Sequence, residues 1–94
     1  IHYAMTKGAM HSLTYGMAKE LGEYGIRVNG VAPGLIDTEI HAKAGDASRV
    51  EKLLPSVPLS RVGSAKEVAD TVMWLLSSKS SYVSGTIIKI SGGR

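Results

Sequence analysis

The first third of the chain runs from a helix-forming segment through a short apolar segment into a Pro-Gly corner. The helical segment extends from Ala4 to about Tyr24, and Gly25 after it suits the left-handed turn that ends many helices. The segment Ile26–Ala32 is interpreted as too apolar for a strand with one wet face, so it predicts a buried parallel strand. Pro33-Gly34 ends this strand. A helix feeding a buried parallel strand predicts an α/β fold.

The second half of the chain adds the remaining elements of the same pattern. Ser64 and Glu67 form the capping box S-A-K-E, which predicts the start of a helix that ends near Ser78. Thr86 to Ile90 predicts a second strand. Strand, helix and strand together form a βαβ unit, for which a right-handed crossover is expected.

Between these parts lies the segment Leu35 to Pro58. It is more polar and loosely helical as far as about Leu54, with a break at Gly45-Asp46, and Pro55 and Pro58 follow. Segments of this kind at the carboxyl end of a parallel strand often cover a ligand. It therefore predicts a lid. No pattern in it identifies a substrate.

Two side chains at the start of the first helix are suited to proton transfer. Tyr3 and Lys7 are four residues apart, so they share one helix face with β-carbons about 5–6 Å apart. A tyrosine with its ordinary pKa near 10 is a poor acid or base at neutral pH, and a neighbouring ammonium favours the phenolate. The spacing alone is weak evidence, because such pairs also arise by chance.

The same helix has two contrasting faces. One broad face is apolar and is interpreted as core, whereas a row of small residues nearly opposite would let another backbone approach closely. The apolar members include Met10, Leu13, Met17 and Leu21, and the small ones are Gly8, Ser12 and Gly16. We expect the chain alone to expose much of the apolar face.

Composition excludes several classes of site. The 94 residues make at most one domain, and without cysteine there is no disulfide framework, thiolate metal site or cysteine nucleophile. His2, His11 and His41 lack metal-ligand spacing, so no metal site is predicted. No apolar run approaches the ~18 residues of a membrane span, which predicts a cytoplasmic protein without a membrane partner. Since Ile1 stands first, the chain is expected to be the C-terminal part of something longer.

The net charge of +3 raises the possibility of a nucleic-acid binder. The basic residues are spread evenly, however, without the cluster and interleaved aromatic residues that a phosphate-tracking groove requires. Nucleic acid is therefore not expected as a partner, and a small basic nucleic-acid-binding protein is kept only as an alternative.

Three stretches of sequence carry a family resemblance. The stretch from Y-A-M-T-K through G-I-R-V-N-G-V-A-P-G-L-I-D-T resembles the catalytic helix and following strand of classical short-chain dehydrogenases/reductases. P-L-S-R-V-G-S-A-K-E-V-A and Y-V-S-G-T-I-I-K-I-S-G-G resemble the C-terminal part of the same family. The resemblance implies that residues 1–94 are the C-terminal portion of a single NAD(P)-binding, Rossmann-type, doubly wound parallel sheet. The N-terminal cofactor-binding half would lie upstream.

The resemblance also assigns roles to residues. Tyr3 would be the general acid or base at the substrate oxygen, and Lys7 would bind the nicotinamide ribose and favour the phenolate. The cofactor-binding residues would be Tyr3 and Lys7 themselves together with Pro33, Gly34, Ile36 and Thr38. Gly34 would remove a side chain where the cofactor comes close, or would simply form a turn.

The expected activity is that of an oxidoreductase transferring hydride between NAD or NADP and a carbonyl or alcohol substrate. The nearest family members in character are 3-oxoacyl-carrier-protein reductase-like and glucose dehydrogenase-like enzymes. The chain alone is expected to be inactive, because the family's phosphate loop and catalytic Ser lie upstream of Tyr3. A homo-oligomer, dimer or tetramer, is expected, and a non-catalytic oligomerisation module is the main alternative. Ser91 stands where many family members have an Asp before the final Gly-Gly, a difference that concerns the C-terminal turn rather than catalysis.

Overall fold

The computed structural model describes residues 2–37 and 47–94, and these divide into two compact units. The first unit comprises the described residues up to Gly30 together with Trp74–Ile88. The second comprises Val31–Met73, apart from the residues outside that description, together with Lys89–Arg94. Each unit therefore combines an early and a late part of the chain.

Helices and strands follow one another in the predicted order of helix, strand, intervening segment, helix and strand. They are α1 (His2–Leu21), β1 (Gly30–Pro33), β2 (Ile36–Asp37), α2 (Ala47–Leu53), β3 (Gly63–Ser64), α3 (Ala65–Leu76) and β4 (Ile87–Ile90). Short 3-10 helices lie at Gly22–Tyr24, Leu54–Ser56 and Ser78–Ser80. The helix α1 thus ends one turn before the predicted Tyr24, since its last turn tightens, and Gly25 has the predicted left-handed φ of 74°.

The described strands form two small sheets. One pairs β1 with β4, and the other pairs β2 with β3 in parallel, with Ile36 opposite Gly63. In the first sheet the Gly30 N–H donates to the Thr86 C=O, and the Gly34 N–H donates to the Ile90 C=O, both at 2.9 Å. Donor and acceptor advance together along the chain, as they do in a parallel pair.

The first strand is shorter than predicted, beginning at Gly30 rather than Ile26. The residues before it are bonded to a loop instead. The Val28 N–H donates to the Ser84 hydroxyl at 3.2 Å, and the Gly85 N–H donates to the Val28 C=O at 2.7 Å. Apolar character alone could not show this, because a loop can satisfy the same backbone groups.

In the first unit, Arg27 joins the segment before β1 to the end of α3. Its Nη2 donates to the Leu75 C=O at 2.8 Å, and its Nη1 donates to the Ser80 C=O at 2.9 Å and to the Val83 C=O at 3.2 Å. The last carbonyls of a helix lack partners within it, and a cation there is favourable. Arg27 is therefore a structural clamp.

Asn29 adds a second link in the same unit. Its Nδ2 donates to the Val83 C=O at 2.9 Å, and its Oδ1 accepts from the Thr86 N–H at 3.2 Å. The side chain thus replaces two strand hydrogen bonds just before the strands begin to pair. Asn29 therefore has a structural role in this unit.

The second unit contains the capping box predicted from the sequence. The Glu67 N–H donates to the Ser64 hydroxyl at 3.2 Å, and the Ser64 N–H donates back to Glu67 Oε1 at 3.0 Å. The core of this unit is small, with Ile36 and Val57 as its buried apolar side chains among the residues described.

Much of α1 faces solvent in the chain alone, as expected. Met10 and Leu13 are each more than half exposed, Met17 is 39% exposed, and the small residues Gly8 and Ser12 are exposed as well. Thr14, in contrast, is buried and donates to the Met10 C=O, and Ala18 and Leu21 are half-buried. That the apolar face is core in a longer protein stays a prediction. No described helix is long and apolar enough to cross a membrane.

Candidate active site

The Pro-Gly corner lies at the carboxyl end of β1, where the sequence predicts it. Pro33 and Gly34 are exposed, Leu35 is half-buried and Ile36 is buried. Two backbone groups near the corner already have partners. The Gly34 N–H donates to the Ile90 C=O, and the Leu35 C=O accepts from the Gly63 N–H at 3.0 Å. The Gly34 N–H is therefore not free to bind a further acceptor, whereas the Leu35 carbonyl oxygen can still accept a second hydrogen bond.

Gly34 packs against the turn that follows β4. A β-carbon built on Gly34 would lie 2.9 Å from Ser91 Cβ and 3.0 Å from Ser91 Cα. Gly34 does not have the left-handed φ that would require glycine in a turn. The structure thus gives a packing reason for this glycine that the sequence did not reveal.

Beside the corner the second unit has a cleft of about 190 Å³. Its lining is mainly apolar and includes three charged side chains. The lining residues are Leu35, Ile36, Leu59, Arg61, Gly63, Glu67, Lys89, Ile90, Ser91 and Gly92. Ile36, one of the predicted cofactor-binding residues, therefore borders a space that can accept part of a small molecule.

Glu67, the acidic residue that lines the cleft, is already hydrogen-bonded to other residues of the chain. Arg61 donates to both carboxylate oxygens of Glu67, each at 2.8 Å. This guanidinium first of all, and then the Ser64 N–H, lowers the pKa of Glu67 to about 2. Glu67 is therefore ionised at physiological pH, which makes it unsuitable as the general acid of a reaction in the cleft.

The predicted catalytic pair lies on α1, in the first unit. Tyr3 and Lys7 both belong to this continuous helix, so they share one face as predicted. Lys7 is exposed, and Tyr3 is described by its place in the helix backbone. Both residues therefore lie in the first two turns of the helix that leads towards β1.

Comparison with known proteins places this arrangement in a family. The model of the enoyl-(acyl carrier protein) reductase family matches residues 1–94. The chain is 47% identical to the uncharacterized oxidoreductase YgfF of Escherichia coli. The match covers all of this chain and 38% of that protein. It is 44% identical to the 3-oxoacyl-[acyl-carrier-protein] reductase FabG of Thermotoga maritima, covering 98% of this chain and 37% of that one.

A solved structure agrees with both relatives. A crystal structure from Agrobacterium tumefaciens with bound NADP matches at a TM-score of 0.85 and 34% identity, over 97% of this chain and 37% of that one. The chain belongs to the short-chain dehydrogenase/reductase family. It spans less than two fifths of the length of these relatives. The predicted Rossmann-type α/β fold and the predicted nicotinamide cofactor, NAD or NADP, are confirmed at the level of the family.

The family helix also contains a second Tyr-x-x-x-Lys pair, which the sequence reasoning overlooked. Tyr15 and Lys19 lie on α1 with the same spacing as Tyr3 and Lys7. The Lys19 ammonium lies 4.7 Å from the centre of the Tyr15 ring, a cation–π contact. Spacing therefore does not distinguish a catalytic pair from a surface pair, although the search that found the first pair would have found this one.

The predicted site residues lie partly in the first unit and partly in the second. Tyr3 and Lys7 lie in the first unit, whereas Pro33, Gly34 and Ile36 lie together in the second. Thr38 and the histidine at position 41 lie outside the described residues. Sequence reasoning missed β3, Ser91 and the Arg61–Glu67 pair as neighbours of the corner.

Proposed function

We propose that the protein carrying this chain is an NAD- or NADP-dependent oxidoreductase that interconverts a carbonyl and an alcohol. The observation that carries the proposal is α1 itself, which places Tyr3 and Lys7 one turn apart in a member of the short-chain dehydrogenase/reductase family. A relative named as a 3-oxoacyl reductase supports a carbonyl substrate.

The proposed chemistry divides between the cofactor and the chain. The nicotinamide supplies or accepts the hydride when it is bound. Tyr3 donates a proton to the substrate oxygen in reduction and removes it in oxidation, while the Lys7 ammonium favours the phenolate and binds the nicotinamide ribose. Among the charged residues lining the cleft, Glu67 does not compete for this role because Arg61 holds it as the carboxylate.

The second unit would hold the nicotinamide end of the cofactor. The exposed corner at Pro33 and Gly34 and the adjoining cleft beside Ile36 offer an accessible backbone and apolar walls for a flat ring. Thr38 is proposed to bind the carboxamide or a nearby phosphate. The segment Leu35 to Pro58 is proposed to cover the substrate.

A substitution in the full-length protein tests the proposal. Tyr3→Phe removes one hydroxyl and should abolish most NAD(P)H-dependent turnover while leaving assembly unchanged. The measurement is steady-state kinetics with a panel of ketones and alcohols, together with sedimentation. Normal turnover by Tyr3→Phe would exclude Tyr3 as the acid or base.

A second candidate function, an oligomerisation module, rests on the exposed face of α1. Gly8, Ser12 and Gly16 are exposed, and a β-carbon at either glycine would meet nothing within 4 Å, so a second backbone could approach. Two-fold contacts between identical surfaces are common in homo-oligomers. Ser12→Leu should weaken such a contact, which sedimentation of the full-length protein would detect. An unchanged oligomeric state would place the interface elsewhere.

A further inference from the structure

The turn after β4 and the corner after β1 are in close contact within the second unit. The Gly34 N–H donates to the Ile90 C=O at 2.9 Å, which brings the next residue, Ser91, against Gly34. An added β-carbon on Gly34 would meet Ser91 Cβ at 2.9 Å and Ser91 Cα at 3.0 Å. Real β-carbons essentially never approach other atoms closer than 3.0 Å.

Backbone torsion does not account for glycine at this position. Among the described residues the glycines with left-handed φ are Gly25, Gly85, Gly92 and Gly93. Gly34 is not one of them, so alanine could adopt its backbone conformation. The space beside Gly34 therefore decides which residue fits, and Ser91 fills that space.

The turn that carries Ser91 is itself held from behind. The Gly92 C=O accepts from the Leu59 N–H at 3.0 Å, and the Arg94 N–H donates to the Ser91 C=O at 3.2 Å. Gly92 has a φ of +63°, and its missing β-carbon would meet the buried Val57 at 2.8 Å. Moving the turn away from Gly34 would break the Leu59 hydrogen bond and the packing of Gly92 on Val57, so a larger residue at position 34 is expected to move the corner instead.

We propose that Ser91 is a positioning residue for the cofactor, and that Gly34 is glycine because of Ser91 rather than because the cofactor approaches it. The Cα and Cβ of Ser91 would fix where the Pro33–Gly34 backbone lies and thereby set the position of the nicotinamide-binding surface. The link to cofactor affinity rests on the function proposed above, whereas the contact between the two residues does not.

A double-mutant cycle in the full-length protein tests the proposal. Gly34→Ala should weaken NADH and NADPH binding by about tenfold or more, because overpacking displaces the corner. Adding Ser91→Gly removes the nearest atom and should restore at least about threefold of that loss, so that the two effects are not additive. The measurements are cofactor titration by fluorescence and the midpoint of thermal unfolding.

Two other glycines provide matched controls. A β-carbon on Gly63 would lie 2.9 Å from Ile36 Cδ1 but has no close contact with Ser91, so Ser91→Gly should not rescue Gly63→Ala. A β-carbon on Gly22 would meet nothing within 4 Å, so Gly22→Ala should leave cofactor binding unchanged. Rescue of Gly63→Ala to the same extent would show that Ser91→Gly acts without specificity and would overturn the proposal.

The remaining outcomes of the cycle distinguish the Gly34–Ser91 contact from a requirement of the cofactor for glycine. If Gly34→Ala loses cofactor affinity with an unchanged unfolding midpoint and no rescue, glycine is required by the cofactor and the proposal is wrong. If Gly34→Ala does not fold, a folded double variant supports the contact and an unfolded one contradicts it. Should the wild-type protein bind no nicotinamide, the proposed function fails separately, and the unfolding midpoints alone then decide whether Ser91 relieves Gly34→Ala.

Discussion

The two Tyr-x-x-x-Lys pairs of α1 have the same spacing but lie in different halves of the helix. Tyr15 and Lys19 contact each other, and Tyr15 also lies near Gly85, where an added β-carbon would be 3.6 Å from the ring. Both contacts lie within the first unit. Tyr3 and Lys7 stand at the other end of the helix, where Lys7 is exposed.

This comparison shows what a short motif can and cannot establish. Helical geometry brings residues four apart together wherever they occur, so both pairs are equally good matches to the motif. The Pro-Gly corner, the C-terminal motifs and the family match give the first pair its meaning. A test of the account must therefore treat the two pairs in parallel.

The largest expected difference is in turnover. Tyr3→Phe should lower kcat by about 10²- to 10⁴-fold, the usual contribution of a positioned general acid or base. Tyr15→Phe keeps the ring beneath Lys19 and should leave kcat within about twofold. Steady-state kinetics of the two full-length variants provide the measurement. Equal losses in both would remove the distinction between the pairs.

The lysines should differ in the pH profile. Lys7→Ala should lower turnover and shift the alkaline limb of the profile to higher pH, because Tyr3 loses the charge that favours its phenolate. Lys19→Ala should leave the limb in place. An unmoved limb in Lys7→Ala, with weaker cofactor binding, would mean that Lys7 only binds ribose.

Arg27, which lies in the first unit with Tyr15 and Lys19, should affect stability rather than turnover. Arg27→Ala removes the charged donor to the carbonyls at the end of α3, although the Leu75 C=O still accepts from the Ser80 hydroxyl. It should lower the free energy of unfolding by about 2–3 kcal/mol, the range for hydrogen bonds to a charged group. Arg27→Lys keeps the charge but not the planar fork, so it should recover only part of this loss. Urea unfolding measures both variants. A stability equal to wild type in Arg27→Ala would contradict the clamp.

The smallest expected effect concerns the Arg61–Glu67 pair. The pKa of Glu67 is about 2, below its ordinary 4.5, so ionised Glu67 favours the folded state above pH 4.5. This contribution is lost as the pH falls from 4.5 through 2. Glu67→Gln keeps the capping box, so its stability deficit should be small, constant from pH 8 to 5, and absent near pH 2. Urea unfolding of both proteins across this pH range is the measurement. A stability deficit of Glu67→Gln that persists near pH 2 would contradict the prediction.

Local patterns predicted the larger elements of the fold. The helix with its left-handed Gly25, the capping box at Ser64 and the strand near Ile87 all follow from residues close together in sequence. The two-residue strands at Ile36 and Gly63 were missed, because so short a segment has no periodicity to recognise.

The site was less predictable than the fold. Resemblance supplied Tyr3, Lys7 and the corner, but the reason for Gly34 lies in Ser91, more than fifty residues away in the chain. Ser91 stood out in the sequence only as a departure from the family pattern. Contacts of this kind depend on how strands pair, which a single sequence does not specify.

The most direct test of the central claim is a crystal structure of the full-length protein with bound NADP or NAD. The account predicts that the nicotinamide ribose lies within hydrogen-bonding distance of the Lys7 ammonium, with the Tyr3 hydroxyl facing the reactive side of the ring. Tyr15 and Lys19 should remain in contact with each other and away from the cofactor. A nicotinamide bound away from the first turns of α1 would contradict the account.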